Sequence, residues 1–142
     1  MTFKYQEYIN ELSNCPPSDY QHIEMTAYRF IFEENHEQSK NSFLPVLIIK
    51  PHRKFNTPQQ CCQGYALSLF DTRNHAEQRY NQLIKNRPNI SQILGTHLAK
   101  GSIDKTDGIA SSVDQKGHFS LHEYQHTDLS QKFKIINQLE IN

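Results

Sequence analysis

The residues best suited to chemistry concentrate between Gly95 and Tyr124. That stretch holds three of the eight histidines (His97, His118, His122) and four of the five glycines (Gly95, Gly101, Gly108, Gly117). Glu123 lies inside it and His126 just beyond. On a helix, His118 and His122 would sit one turn apart and could share one metal ion. The alternation of HFSLHEY after Gly117 reads as a strand instead. On a strand the two rings are about 13 Å apart, four steps of about 3.3 Å. That is too far for one ion held at about 2.1 Å by each nitrogen. We therefore expect no metal and no cofactor. The expected arrangement is a strand with Phe119 and Leu121 inward and a polar face of His118, Ser120, His122 and Tyr124 open to a ligand or partner.

The glycines carry no phosphate cradle. Neither G-x-x-x-x-G-K-[ST] nor G-x-G-x-x-G occurs. Asp104, Asp107 and Asp114 are spaced too irregularly for a calcium loop, which wants alternate ligands and a closing glutamate. What remains is a 14-residue loop, Asp104 to Gly117, with a turn signal at Asp107-Gly108. A loop that long suits a recognition flap or a partner contact, so Asp107 and Gly108 join the candidate binding residues.

Arg29 is the second feature. It lies in a strand-like run, Tyr20 to Phe32, where Ile23, Met25, Ala27 and Ile31 share its face. A charge among apolar neighbours needs a carboxylate, an anion or a route to solvent. Arg29 on an early strand, Ser68 in the strand-like GYALSLF and the late Glu123 together resemble the arginine, serine and glutamate pattern of ADP-ribosyltransferases. That resemblance implies an arginine and a serine that hold NAD and a glutamate that acts on the ribose, here Arg29, Ser68 and Glu123. The sequence departs from the family in its flanks. Ser68 sits between leucines where an S-T-S triplet is the rule, and Glu123 lacks the second acid of E-x-E. An enzyme acting on NAD or a nucleotide is therefore the alternative reading.

Bulk composition limits the rest. Fifteen basic and fifteen acidic residues give zero formal net charge, so the overall field does not draw the chain to phosphate backbones. The basic turn Lys50–Phe55 (KPHRKF) is too short to change that, and nucleic acid is disfavoured. Three cysteines (Cys15, Cys61, Cys62), two of them adjacent, are no disulfide framework, and no C-x-x-C occurs. Free thiols, a reducing compartment and a cytoplasmic location are the expectation. No apolar run is long enough for a membrane span, and the N-terminus lacks the apolar core of a signal peptide.

Elements that could position these residues follow from periodicity. Tyr5, Tyr8, Ile9 and Leu12 mark a short helix, stopped by Cys15-Pro16-Pro17. Strands are expected at 20–32, 43–50, 64–70, 96–103 and 118–124, with Gly101 a candidate bulge. Residues 71–86 form the clearest helix, with Ala76, Tyr80, Leu83 and Ile84 along one face and a cap at Asn74 with Glu77. Residues 90–94 form a turn or short helix. Segment 128–140, with Asp128 as N-cap, is read as helix, although Phe133 and Ile135 also suit a strand. If strands 96–103 and 118–124 pair antiparallel across the loop, His97 falls near Tyr124 and far from His118. The fold class is α+β in a single domain, 1–142: a mainly antiparallel sheet of about five strands with two or three helices packed on one face. The functional expectation is a binding or accessory module, regulatory or immunity-like. It would recognise a protein partner or small ligand through 95–124, with a homodimer left open.

Overall fold

The computed structural model describes residues 2–139. A one-turn helix, α1 (Gln6–Ile9), precedes the first strand, β1 (Met25–Ile31). Two short helices follow, α2 (Val46–Ile49) and α3 (Pro58–Gln63), then strand β2 (Leu67–Phe70) and the long helix α4 (Arg73–Asn86). Helix α5 (Ser91–Leu94) leads into β3 (His97–Ile103), β4 (Gly108–Ala110), β5 (His118–Glu123) and β6 (Lys134–Gln138). All strand pairs are antiparallel and form one sheet in the order β4-β5-β2-β1-β3-β6. The α+β class holds, with six strands among the described residues. No helix among them is long and apolar enough to cross a membrane.

The register divides the chemistry between two faces. Tyr28 opposes Phe70, and Phe70 opposes His118. Residues directly opposite point the same way and alternate residues along a strand share a face. Tyr28, Phe30, Ser68, Phe70, His118, Ser120 and His122 therefore share one face. Ala27, Arg29, Ile31, Leu67, Leu69, Phe119, Leu121 and Glu123 share the other. The first face is covered by α4, where Phe70, Ala76, Tyr80, Ile84 and Leu98 form one apolar cluster. The second buries Ala27, Leu67, Leu69, Phe119 and Leu121 against Leu129 and Phe133.

The N-cap of helix α4 lies two residues before the expected Asn74. Thr72 is the N-cap and accepts from the His75 backbone N–H, while Glu77 pairs with Arg73. Its buried stripe, Ala76, Tyr80 and Ile84, lies at the spacing the sequence implied.

Several expectations are corrected. The β-branched run at 43–50 is not a strand: Pro45 opens a helical turn, Val46–Ile49, and Lys50 N–H closes it on Val46 O at 2.8 Å. Leu47 is seated by Gly64, where a side chain would stand 2.6 Å from its Cδ1. The C-terminal segment is not a helix. Asp128 does cap a 3-10 turn, Leu129–Gln131, but Lys134–Gln138 then joins the sheet as an edge strand beside β3; residue 140 lies outside the described residues. Gly101 is not the bulge; the irregularity falls between Leu98 and Ala99. Gly101 leaves room for the Phe133 ring, which a Cβ would meet at 2.4 Å.

Strands 97–103 and 118–123 do not pair. Strand β3 lies between β1 and β6, and β5 lies between β2 and β4. His97 opposes Ile31 and Gln138, three strand positions from β5. The expected 14-residue loop also contains structure, because Gly108–Ala110 pairs with Leu121–Glu123.

Cys15 and Cys62 are joined by a disulfide across 47 residues of chain, and Cys61 is the free thiol. The expectation of three free thiols is thus corrected. Chain spacing hid the pair, because its partners meet only when the loop after α1 and helix α3 fold over the same end of the sheet.

Candidate functional site

Between α4 and the α2–α3 segment, the sheet face stays uncovered and forms a cleft of about 1210 Å³. Its floor is Phe30, Ser68, Phe70 and His118. One wall comes from Arg79 and Leu83, which are four residues apart and so share one face of α4, and from Arg87, the residue that follows its last turn. Pro45, Val46, Ile49, Lys50 and Arg53 form the other wall, and Asp114, Gln115 and Lys116 close one end. Among the described residues, Arg29, Lys50, Arg53, Arg79, Arg87 and Lys116 line it, against the single carboxylate of Asp114. In a chain of zero net charge, this is a local excess of positive charge in a concave, partly apolar site.

Ser68 and His118 meet on the floor. Ser68 is the exposed residue of β2, between neighbours that are buried. Its Oγ lies 2.5 Å from His118 Nε2. Burial lowers the His118 pKa, Arg79 lowers it further and Asp114 opposes both. The ring is therefore neutral at pH 7 and can accept a proton. Asp114 Oδ2 lies 3.9 Å from His118 Nδ1. Its Oδ1 accepts the backbone N–H groups of Lys116 and His118 at 2.8 and 2.9 Å, which fixes the carboxylate in its turn.

Arg29 points to the opposite face of its strand, yet its guanidinium reaches the cleft. Strands β1 and β2 pair only at Tyr28–Phe70, and the side chain fills the space where they part. Its Nε donates to Ser42 O and its Nη1 to Ser68 O, both at 2.8 Å. Burial pushes its pKa down to about 10, with Glu123 acting in the other direction. The arginine on an apolar face thus ties two backbone carbonyls together and holds Ser68 in place.

Glu123 does not join Ser68. It shares the Arg29 face and is 3% exposed, and its Oε2 takes Lys4 Nζ at 3.0 Å. Its Oε1 is buried without a hydrogen-bond partner among the described residues, and burial raises its pKa against the pull of Lys4 and Arg29. The trio Arg29, Ser68 and Glu123 is therefore split: the first two line the cleft and Glu123 does not.

The polar stripe on β5 is on one face as expected, but most of it is not open. Ser120, His122 and Tyr124 are buried, at 5%, 2% and 9% exposure. Tyr124 Oη lies 2.8 Å from His22 Nε2 and its ring stacks on Phe3. His122 packs against Phe3 and Tyr20, and its Nε2 is 3.5 Å from Cys62 Sγ. Burial pushes its pKa down to about 4. Cys15, Cys62 and His122 bring ligand-type atoms within 4.8 Å of one another, but sulfurs joined in a disulfide are not the thiolates that bind metal.

Asp107 and Gly108 are structural rather than exposed. Asp107 is 5% exposed and its carboxylate takes Lys132 Nζ at 2.5 Å and the Asp104 N–H at 2.9 Å. Its backbone carbonyl accepts from Tyr124 N–H and Thr127 Oγ1. Gly108 has φ +155°, and a Cβ there would meet His122 O at 2.1 Å, so the position admits the close strand approach that begins β4.

Sequence reasoning named Ser68 and His118 for other reasons and missed the cationic wall. One signal for it was available: Arg79, Leu83 and Arg87 repeat at helical spacing. Arg53, from the basic turn noted in the sequence, was the other, and its guanidinium lies over the Phe55 ring at 5.1 Å. No protein-family model matches this chain, and comparison with curated proteins and with solved structures returns no match.

Proposed function

We propose that this protein is a binding module whose cleft takes a small anionic ligand, a phosphate, sulfonate or carboxylate carried on an apolar or aromatic body. The observation that carries this reading is the lining of the cleft: among the described residues, six lysine and arginine side chains against one carboxylate, over a floor with Phe30 and Phe70. Arginine forks match the oxygens of such anions and stack on flat apolar groups. The volume, about 1210 Å³, is ample for a ligand that places its charge on one wall and its apolar part on the other. The reading takes the small-ligand branch of the expectation over a protein partner, because the cationic side chains line a concavity and not a flat surface. The 95–124 segment contributes Asp114–His118 to it. Disulfides persist chiefly in oxidising compartments, so Cys15–Cys62 supports a setting other than the reducing cytoplasm.

The test compares two probes of similar shape by fluorescence titration: 8-anilinonaphthalene-1-sulfonate and uncharged N-phenyl-1-naphthylamine. The sulfonate is expected to bind at one site, about tenfold or more tighter than the neutral probe, since a charge-assisted hydrogen bond is worth about 1.5–3 kcal/mol. Replacing Arg79 and Arg87 together by glutamine should remove that preference without changing the melting temperature. Equal affinity for the two probes, or a double variant that binds like the parent, would refute the proposal.

A further inference from the structure

We infer that the cleft is also catalytic, with Ser68 the nucleophile and His118 its general base in the hydrolysis of carboxylic esters that carry an anionic group. The inference rests on the cleft taking an anion, and it adds a reaction to that binding. Ser68 is the exposed side chain of an otherwise buried strand and opens into the cleft. It is held from both sides, by Arg29 on its carbonyl and by the Ser120 pairing on β5. Its Oγ is within hydrogen-bond reach of His118 Nε2, at 2.5 Å. The other ring nitrogen faces the carboxylate of Asp114 at 3.9 Å. Serine, imidazole and carboxylate therefore stand in the order that activates a hydroxyl. The cationic side chains of the cleft, Arg53, Arg79 and Lys116 among them, supply positive charge where an oxyanion develops.

The chemistry balances without a cofactor. Ser68 Oγ adds to the ester carbonyl carbon as its proton passes to His118 Nε2, and the imidazolium forms opposite Asp114. Collapse of the tetrahedral oxyanion breaks the bond to the leaving oxygen, which takes the proton from His118. Water, deprotonated by His118, then attacks the acyl carbon, and collapse of this second tetrahedral oxyanion breaks the bond to Ser68 Oγ, which takes the proton back from His118 as the acid is released. The sum is ester plus water to acid plus alcohol. Asp114 is a positioning residue, since it acts on His118 and not on the substrate.

The experiment treats the full chain with a fluorophosphonate and locates the adduct by peptide mass spectrometry. It also follows hydrolysis of 4-acetoxybenzenesulfonate against neutral 4-nitrophenyl acetate. A single adduct on Ser68 is expected, with the sulfonated ester preferred. Ser68→Ala should abolish labelling, and His118→Ala should slow it about 100-fold or more. Both variants should keep the parental melting temperature and circular dichroism spectrum, which separates loss of chemistry from loss of fold. The rate should rise with pH through the His118 ionisation. Asp114→Asn should move that inflection to lower pH, because the carboxylate favours the protonated ring, an effect that merely structural damage would not produce. A parent protein that binds the sulfonate but takes no label overturns the inference and leaves the binding proposal standing. Failure of the parent to bind the sulfonate overturns the binding proposal. Labelling that persists in His118→Ala, or that falls on another residue, overturns the serine–histidine assignment.

Discussion

Reducing the Cys15–Cys62 disulfide should cost this fold a large part of its stability. The bridge spans 47 residues. In the chain-entropy treatment, opening a loop of that length frees the unfolded ensemble by about 4 kcal/mol at 25 °C. Domains of this size are stable by about 5–15 kcal/mol in total, so the reduced protein should survive with a much smaller margin. With a urea slope of about 2 kcal/mol/M, the unfolding midpoint should fall by about 2 M. The assay is urea denaturation followed by circular dichroism, on the oxidised protein, on the same protein in dithiothreitol, and on a Cys15→Ser/Cys62→Ser double variant. The last two should coincide. Alkylation supplies the covalent check: without reductant, only Cys61 should be labelled under denaturing conditions, and all three cysteines after reduction. Three labelled cysteines without reductant, or equal midpoints for the oxidised and reduced chains, would refute the reasoning.

Three other predictions concern the residues around the cleft and the sheet. His122 has its pKa depressed to about 4 by burial, so the unfolded chain binds more protons than the native one between pH 6.5 and 4. Stability from this group is complete above about pH 6.5 and is lost as pH falls through that window, by about 3 kcal/mol in all. The elevated Glu123 pKa acts with the opposite sign, its destabilisation growing as pH rises above the ordinary glutamate value. The difference in urea midpoint between parent and His122→Gln, measured at pH 4.5 and 7, isolates the histidine, and a pH-independent difference would contradict it. Arg29→Met should destabilise by roughly 3 kcal/mol in the same assay, because the Ser42 and Ser68 carbonyls each lose a charged donor; a change below about 1 kcal/mol would show that the guanidinium does not brace the strands. Gly95→Ala should cost roughly 3 kcal/mol, since φ is +87° and the new Cβ would stand 2.1 Å from Ile31 O; an unchanged melting temperature would contradict that geometry.

Local periodicity determined a good deal of this protein. The alternation in the first strand put Arg29 on the same face as Ala27 and Ile31, and the sheet keeps it there. The stripe Ala76, Tyr80 and Ile84 marked the long helix, because 3.6-residue spacing needs no knowledge of what the stripe packs on. The alternation at HFSLHEY placed His118 and His122 on one face of a strand and ruled out a shared ion between them. Tertiary structure decided everything that depends on distant partners. An alternating segment is equally suited to several neighbours, so nothing local said that β5 would lie beside β2 and β4, or β3 beside β1 and β6. The run at 43–50 is apolar enough for a strand or a helix, and Gly64, which offers Leu47 a seat, selected the helical turn. The same long-range assembly buried His122 beneath α3, joined Cys15 to Cys62, and left His118 open beside Ser68. Sequence could name those side chains. Only the packing of α2, α3 and α4 over one sheet face could determine which of them line a cleft, because a cleft is the part of a face that no element covers.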